Sequence, residues 1–397
     1  VLTCLACLVT QHAASGFSPV GVNGMISTFA SRIIHDDSPN HVPREHVSLA
    51  AKKKKKSVTT AAAGSSSGGG FGAVKEKKPP SKKQIIKRLE KSYGGTSGEQ
   101  IAKATQERIQ KQISQQDPRV QMAIQLYQQL QQWEGHKAKL TVLQQAQLDP
   151  AEMEGARRAR QELDALYAPS QQGDEAGVVT SDQDVHNLLQ KFTWDASADA
   201  KAARALTGSM NADITQRIER ACQVVAQATG EDGLCLDVGC GFGVLVPYLV
   251  TAGIPADHIH GVDISPEMIR NAHEQHGNGP TFTACDFIQE YEGPSPKFRS
   301  IIFCSCLHDL PDQMAALTKA ASLLETGGNL VICHAQGPSH VMRQVQTNPV
   351  LVQRPLPTTE EFQTTMALPN MKLIMEPAMA GTDREAEEGY LAVLEKV

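Results

Sequence analysis

The residues best suited to chemistry begin with three glycines at alternate positions, Gly239, Gly241 and Gly243. The apolar run Leu234–Val238 before them is typical of a buried parallel strand, and Val244–Val250 after them is predicted to be a helix. Glycine allows a tight turn and lets the backbone approach a ligand where a Cβ would clash. The stretch therefore predicts the first strand–loop–helix of a nucleotide-binding α/β fold.

Two carboxylates follow at the ends of the next two predicted strands. Asp263 comes some twenty residues after the glycine loop, where an acid can accept hydrogen bonds from both hydroxyls of a ribose. Asp286 could accept from an adenine amino group, with Phe287 or Ile288 against the ring. Each acid taken alone could equally be a helix cap or a solvated turn residue. Because ligands of open α/β sheets bind beyond the carboxyl ends of the strands, we expect both acids in one site.

The glycine spacing separates two classes of cofactor. The dinucleotide fingerprint is G-x-G-x-x-G, and the position of its third glycine is occupied here by Val244. The sequence instead reads D-x-G-x-G-x-G from Asp237, which resembles motif I of class I S-adenosylmethionine (SAM)-dependent methyltransferases. An NAD-dependent oxidoreductase is the alternative that this spacing disfavours.

Three further segments carry the same resemblance over residues 182–397. They are Gly261-Val-Asp-Ile-Ser-Pro-Glu-Met268, Cys285-Asp-Phe287 and Cys306-Leu-His-Asp-Leu-Pro-Asp312. The last resembles a Leu-His-His-Leu-x-Asp segment of small-molecule methyltransferases, with Asp309 in place of the second His. The resemblance implies an α/β fold, a doubly wound Rossmann-like sheet of seven strands in the order 3-2-1-4-5-7-6, with strand 7 antiparallel.

The resemblance also implies the site residues and SAM as the cofactor. The residues expected to bind SAM are Asp237, Gly239, Cys240, Gly241, Gly243, Asp263, Ile264, Asp286, Phe287 and Cys304. His308 lies where the methyl acceptor would meet the sulfonium, and it could take a proton there or simply pack and shape the pocket. No metal site is expected.

Other residues are predicted to lie near this site, and some of them allow two interpretations. The pair Trp194-Asp195 could form a lid over SAM or belong to the core. The thiols of Cys304, Cys306 and Cys333 could bind an acceptor such as trivalent arsenic, but buried small side chains are the favoured interpretation. We expect the segment Gln336–Pro357 to cover the acceptor.

Strand-like and helix-like segments alternate along this region, as in a doubly wound sheet. The predicted strands after the first are His258–Val262, Thr281–Cys285, Ser300–Cys304, Asn329–Cys333, Lys372–Glu376 and Tyr390–Leu394. The predicted helices between them include Ser265–Glu274 and Met314–Leu324.

The remainder of the chain divides by composition. Residues 81–168 form a Gln-rich α-helical extension, with helix starts at Asp117-Pro118 and Asp149-Pro150, and 169–181 form a linker. This extension could be a hairpin packed on the main domain, a partner-binding arm or a solvent-exposed pair of helices. Residues 36–80, which include the run Lys52–Lys56, are predicted to be a disordered basic linker.

The charge distribution and the N-terminal residues indicate which partners and which compartment to expect. Residues 1–91 contain fifteen Lys or Arg and five Asp or Glu, and the chain as a whole carries −5, so residues 92–397 carry −15. An acidic folded part argues against tight binding of nucleic acid. Residues 1–35 resemble a plastid presequence of diatoms and related algae, with Ala14-Ser-Gly-Phe-Ser-Pro19 at the junction; a secretory signal is the alternative. No segment has the length of a membrane span.

The cysteines and the motifs together define the expected function. Nine cysteines at irregular spacing favour a reduced compartment such as a plastid stroma or the cytosol. We expect a SAM-dependent methyltransferase with a small-molecule acceptor. The alternatives are a SAM-binding scaffold or assembly factor with little turnover, and a protein or RNA methyltransferase that uses region 81–168 to hold its partner.

Overall fold

A computed structural model describes residues 98–167, 179–207, 211–295 and 297–397 of the chain. The predicted presequence (1–35) and basic linker (36–80) lie outside these described residues. Within them, no helix combines the length and the apolar character needed to cross a lipid bilayer.

The elements follow one another as an N-terminal group of helices and then an alternation of strands and helices. The helices are α1 (Gly98–Ser114), α2 (Pro118–Lys137), α3 (Val142–Gln145), α4 (Pro150–Tyr167), α5 (Asp182–Thr207), α6 (Ala212–Thr229), α7 (Val246–Thr251), α8 (Pro266–His276), α9 (Gln313–Leu323), α10 (Pro338–Thr347), α11 (Thr359–Gln363) and α12 (Asp383–Glu388). The strands are β1 (Cys235–Val238), β2 (Ile259–Asp263), β3 (Thr281–Ala284), β4 (Phe298–Cys304), β5 (Leu324–His334), β6 (Met371–Met375) and β7 (Tyr390–Lys396).

The strands form one seven-stranded sheet in the order β3-β2-β1-β4-β5-β7-β6. The first five pair in parallel, whereas β7 runs antiparallel to both β5 and β6. The predicted fold class and strand order are therefore confirmed. In this order the carboxyl ends of β3, β2, β1 and β4 stand side by side at one edge of the sheet.

The central strands of the sheet are buried on both faces, as expected for parallel strands covered by helices, whereas the edge strands β3 and β6 are partly exposed. In β4, Ile301 and Phe303 pack on one face and Ile302 packs on the other, because successive side chains of a strand point to opposite sides. The face under Ile302 is covered mainly by α6, α7 and α8. The face under Ile301 is covered by α9 and by part of the N-terminal helices.

The N-terminal helices share this second core. Ile124 and Tyr127 of α2 and Leu163 of α4 are at most 1% exposed, in one cluster with Val185 of α5 and Ile301 of the sheet. Complete burial of such a side chain stabilises the fold by about 1.5–3 kcal/mol. Of the three arrangements considered for this region, the structure has helices packed on the main domain.

Helix α7 starts later than predicted, and the segment 336–357 makes contacts that the sequence did not predict. Helix α7 begins at Val246 rather than Val244, because the N–H groups of Gly243 and Val246 bond to carbonyls three residues earlier and continue the turns of the glycine loop. The segment 336–357 contains α10 and then packs on the N-terminal helices: the side chain of Gln190 donates to the carbonyl of Leu351, and Gln353 donates to the hydroxyl of Tyr127.

Candidate active site

A cavity of ≈ 270 Å³ lies beyond the carboxyl ends of β3, β2, β1 and β4. Its floor consists of the loops that follow these strands, and its roof is one face of α5. Four side chains from α5 line it, namely Asn187, Gln190, Trp194 and Lys201. The sequence prediction of a site at this edge of the sheet thus agrees with the position of the cavity.

The glycine loop crosses the floor in a conformation that other residues rarely adopt. Gly239, Gly241 and Gly243 have φ angles of +67°, +55° and +79°. The N–H groups of Gly239 and Cys240 both donate to the carbonyl of Val262, at 2.8 and 3.1 Å, which fixes the loop to the end of β2. Gly239, Cys240 and Gly241 line the cavity.

The two outer glycines have packing roles as well. A Cβ on Gly239 would lie 2.5 Å from the Cβ of Cys306, and one on Gly243 would lie 2.6 Å from the His276 ring. A Cβ on Gly241 would meet nothing closer than the Met268 sulfur at 3.9 Å. Gly243 is not one of the residues that line the cavity; its place in the loop is explained by close packing on α8.

Asp263 ends β2 and is held by the backbone around it. One carboxylate oxygen accepts from the N–H of Gly241 at 2.9 Å, and the other accepts from the N–H of Ser265 at 2.9 Å. Burial raises its pKa to about 6, although both hydrogen bonds oppose that rise. Asp263 therefore lines the cavity in a fixed orientation, with Ile264 beside it, and each of its oxygens can accept a further hydrogen bond.

Asp286 follows β3 and both caps a turn and lines the cavity. One oxygen accepts from the N–H groups of Ile288 and Gln289, at 2.7 and 3.2 Å. The other accepts from the side-chain amide of Asn187 on α5 at 2.6 Å. Asp286 therefore has both of the roles considered from the sequence: it caps a turn, and it lines the cavity. Phe287 lines the same end of the cavity.

Asp237 is the penultimate residue of β1, directly before the glycine loop. Its pKa lies well above the ordinary value, first because the group is buried and second because Asp263 is close. Among the described residues that line the cavity, Lys201 is the single Lys or Arg, against Asp237, Asp263, Asp286 and Asp309. The cavity is therefore suited to a ligand with positive charge rather than to phosphate groups.

The roof helix α5 is fixed to the floor by hydrogen bonds. The side-chain amide of Gln190 donates to the carbonyl of Asp309 at 2.9 Å. On the opposite side, Asp195 accepts from the Ser265 hydroxyl at 2.6 Å. Trp194 lines the cavity, and the Lys201 ammonium lies 4.7 Å from the centroid of its ring, a distance typical of a cation–π contact.

His308, the predicted catalytic residue, does not line this cavity. It is 5% exposed, and its ring packs edge-on against His334 with centroids 5.0 Å apart; His334 in turn packs on His340. Burial lowers the pKa of His308 to about 3. The 3-10 turn Leu307–Asp309 directs His308 into the core and leaves its neighbour Asp309 at the cavity wall.

Cysteines occupy the end of β4. Cys304 and Cys306 line the cavity, and the Cys306 thiol donates to the carbonyl of Val238 at 2.8 Å. The pKa of Cys304 is raised, first by a hydrogen bond with Cys333 and then by burial, and burial raises that of Cys306. Thiols held in the neutral form fit the interpretation of small buried side chains. The part of the chain that the structure describes has no cluster of three or more His, Cys, Asp or Glu able to hold a metal ion.

The polar residues of the roof were not predicted from the sequence. Asn187, Gln190 and Lys201 fall at helical spacing with Trp194, so that all four lie on one face of α5. This helical spacing could have revealed the four residues as one face, but only if α5 were already known to cross the strand ends.

Part of the chain is similar to known methyltransferases. Residues 235–328 match the family model described as a methyltransferase domain. An uncharacterised methyltransferase of Mycobacterium bovis is 32% identical over 104 residues, which are 26% of this chain and 51% of the relative. A demethylmenaquinone methyltransferase of Tropheryma whipplei is 29% identical over 118 residues, 30% of this chain and 47% of the relative. The chain thus spans about half the length of these curated relatives.

A solved structure with a similar fold is magnesium protoporphyrin IX methyltransferase from Synechocystis PCC 6803 with bound SAH (S-adenosylhomocysteine). It is 20% identical, and the match covers 53% of this chain and 98% of that chain with a TM-score of 0.38. The match of residues 235–328 to a methyltransferase domain agrees with SAM as the cofactor. Residues 235–328 thus resemble a methyltransferase domain, and they lie in a sheet that has the predicted strand order.

Proposed function

We propose that this protein is a SAM-dependent methyltransferase whose acceptor is a small molecule. The observation that carries the proposal is the convergence of the glycine loop, Asp263 and Asp286 on one cavity at the carboxyl edge of the sheet. When bound, SAM supplies a methyl group on a positively charged sulfur.

The cavity fits SAM part by part. Asp286 and Phe287 at the end of β3 would hold the adenine, and Asp263 at the end of β2 would accept from the ribose hydroxyls. The open backbone of Gly241 leaves room for close approach of the ligand. Lys201, on the roof, would meet the carboxylate of the methionine part. Because adenine, ribose and sulfur follow one another in SAM, the sulfur would lie over the ends of β1 and β4.

The residues of the chain contribute mainly by position. Methyl transfer is a displacement at an already activated carbon, so alignment of donor and acceptor supplies much of the rate. The roof helix α5 excludes water from the floor, and its hydrogen bonds to Asp286 and to the carbonyl of Asp309 keep the two surfaces in register. A small acceptor is supported by the partly closed cavity and by the named substrate of the Tropheryma whipplei relative.

The first test is calorimetry of the purified chain with SAM, SAH and NADH. We expect both SAM and SAH to bind, and NADH to bind more weakly or not at all. Replacement Asp263→Ala removes the ribose partner and should abolish most SAM binding. Asp257→Ala, an exposed acid before β2 that does not line the cavity, serves as the control. Absence of binding of SAM and SAH to the unmodified chain would refute the proposal.

The kind of acceptor is tested by shortening the chain. Removal of residues 1–91 deletes the basic segment but keeps the helices that pack on the core, so activity on a small molecule should remain. A large loss would indicate a protein or RNA acceptor instead. The acceptor itself can be found by incubating the chain with labelled SAM and a plastid metabolite extract, then identifying the labelled product by mass.

We also propose that residues 1–35 direct the protein to a plastid. The support is their resemblance to algal plastid presequences around Ala14–Pro19. A fluorescent protein carrying residues 1–91, expressed in a diatom, should accumulate in the plastid. Accumulation in the secretory pathway would contradict the proposal.

A further inference from the structure

Asp309 lies in the cavity but has no role in the proposed reaction as described so far. It ends the 3-10 turn after β4, lines the cavity, and has a side chain that is 17% exposed. Its carbonyl lies 2.9 Å from His186 Nε2 and accepts from Gln190 at 2.9 Å, so two contacts from α5 fix the turn. The carboxylate is therefore held at the β4 end of the cavity, the end assigned above to the sulfur of SAM.

We propose that Asp309 is the residue by which this site distinguishes the positively charged methyl donor from its uncharged product. The inference rests on the proposed function, because it concerns the same cavity and the same ligand. SAM and SAH differ by the methyl group and by the charge on sulfur. Adenine, ribose, carboxylate and ammonium are common to both, so their partners Asp286, Asp263 and Lys201 stabilise the two ligands alike.

The charged groups around Asp309 decide how its carboxylate titrates. Lys201 on α5 favours the ionised form, whereas burial opposes it more strongly and raises the pKa to about 7. His308 Nε2 lies 3.6 Å from an oxygen of Asp309, but burial keeps that ring neutral. Asp263 on β2 and Asp237 on β1 are acids in the same cavity, and the charge of Asp309 contributes to the raised pKa of Asp263.

These surroundings leave Asp309 without a full counter-charge until a cation enters. A sulfonium beside it favours the ionised carboxylate and lowers its pKa, so SAM binding should release a proton near neutral pH. A cation that lowers the pKa of a carboxyl by about one unit binds its ionised form about tenfold more tightly than its neutral form. The neutral thioether of SAH has no such preference.

The test compares three full-length proteins, unmodified, Asp309→Asn and Asp312→Asn. Asn keeps the shape of Asp309 and removes its charge. Asp312 is an exposed N-cap of α9 three residues away; Asn is an equally good cap, so this variant matches the substitution without touching the cavity. Thermal unfolding of each protein verifies that the variants are folded.

Affinities for SAM, SAH and sinefungin, whose amine replaces the methylated sulfur, are measured by calorimetry at pH 6 and pH 8. Each is measured in two buffers of different ionisation enthalpy, which counts the protons released. In the unmodified protein the preference for SAM over SAH should grow by roughly fivefold from pH 6 to pH 8, with proton release on binding SAM or sinefungin and not SAH. Asp309→Asn should abolish both effects, and Asp312→Asn should keep them.

The outcomes separate this inference from the proposed function. If SAM and SAH bind, but Asp309→Asn changes their affinities by the same factor, the inference is wrong and the proposed function stands. Equal proton release with SAM and SAH would overturn it as well. If neither ligand binds the unmodified protein, the proposed function itself fails, and the inference fails with it.

Discussion

The contact between the glycine loop and the turn after β4 gives a prediction that the structure makes quantitative. In Gly239→Ala, the new Cβ would lie 2.5 Å from Cys306 Cβ and 2.9 Å from its sulfur. Gly241→Ala is the matched control in the same loop, since its φ is also positive and its Cβ meets nothing within 3.9 Å. The two variants therefore share a backbone cost and differ in a steric one.

The two costs can be estimated separately. A left-handed alanine costs roughly 1–2 kcal/mol relative to glycine, and this applies to both variants. Overpacking of a close contact adds roughly 1–3 kcal/mol to Gly239→Ala alone. We therefore expect Gly239→Ala to lower the free energy of unfolding by roughly 2–5 kcal/mol in total, and by about 1–3 kcal/mol more than Gly241→Ala.

Urea denaturation followed by circular dichroism measures both values. In a Cys306→Gly background the clashing atoms are absent, so the difference between the two loop variants should disappear. Equal destabilisation by Gly239→Ala and Gly241→Ala in the unmodified background would refute the reasoning, since it would mean that the loop and the β4 turn do not approach each other as described.

Two further predictions concern packing and pH. Tyr127→Phe should lower the free energy of unfolding by about 1–3 kcal/mol, because the buried hydroxyl lies 3.1 Å from His186 Nδ1 and accepts from Gln353. Urea denaturation measures this change, and a value below about 0.5 kcal/mol would argue against the described packing of α2. Asp309→Asn should stabilise the ligand-free protein, and this stabilisation should grow as pH rises from about 4 to 7. Burial raises the folded-state pKa of Asp309 to about 7, so over this range the carboxyl ionises in the unfolded state before it does in the folded state. The unmodified protein therefore loses stability as pH rises. Denaturation at pH 4, 6 and 8 measures this, and a difference that shrinks with pH would contradict it.

The local sequence was sufficient for the floor of the cavity. Asp237, Asp263 and Asp286 each lie at or next to the end of a predicted strand, and parallel strands bring such ends together without any knowledge of long-range contacts. Gly239 and Gly241 could be placed for the same reason, because positive φ in a tight loop requires glycine.

The roof and the turn after β4 could not be predicted in this way. Whether His308 or Asp309 faces the cavity depends on the path of a single 3-10 turn, and no periodic pattern distinguishes two adjacent residues there. The face of α5 that covers the floor depends on contacts more than a hundred residues apart, such as Gln190 with Asp309. The path of segment 336–357 depends on long-range contacts as well, such as Gln353 with Tyr127 of α2.

The division of the cavity into a floor and a roof has a consequence for how methyl acceptors diversify. Most of the floor belongs to residues 235–328, the stretch that this chain shares with the methyltransferase family model, whereas the roof comes from α5, before that stretch. A lineage can therefore inherit the floor unchanged while substitution at position 194 reshapes the space above it. Positions 187, 190 and 201 stay tied to Asp286, to the Asp309 turn and to the proposed carboxylate contact of SAM. Exchange of α5 between relatives that keep Asn187, Gln190 and Lys201 should thus change the space above the floor while SAM binding is retained.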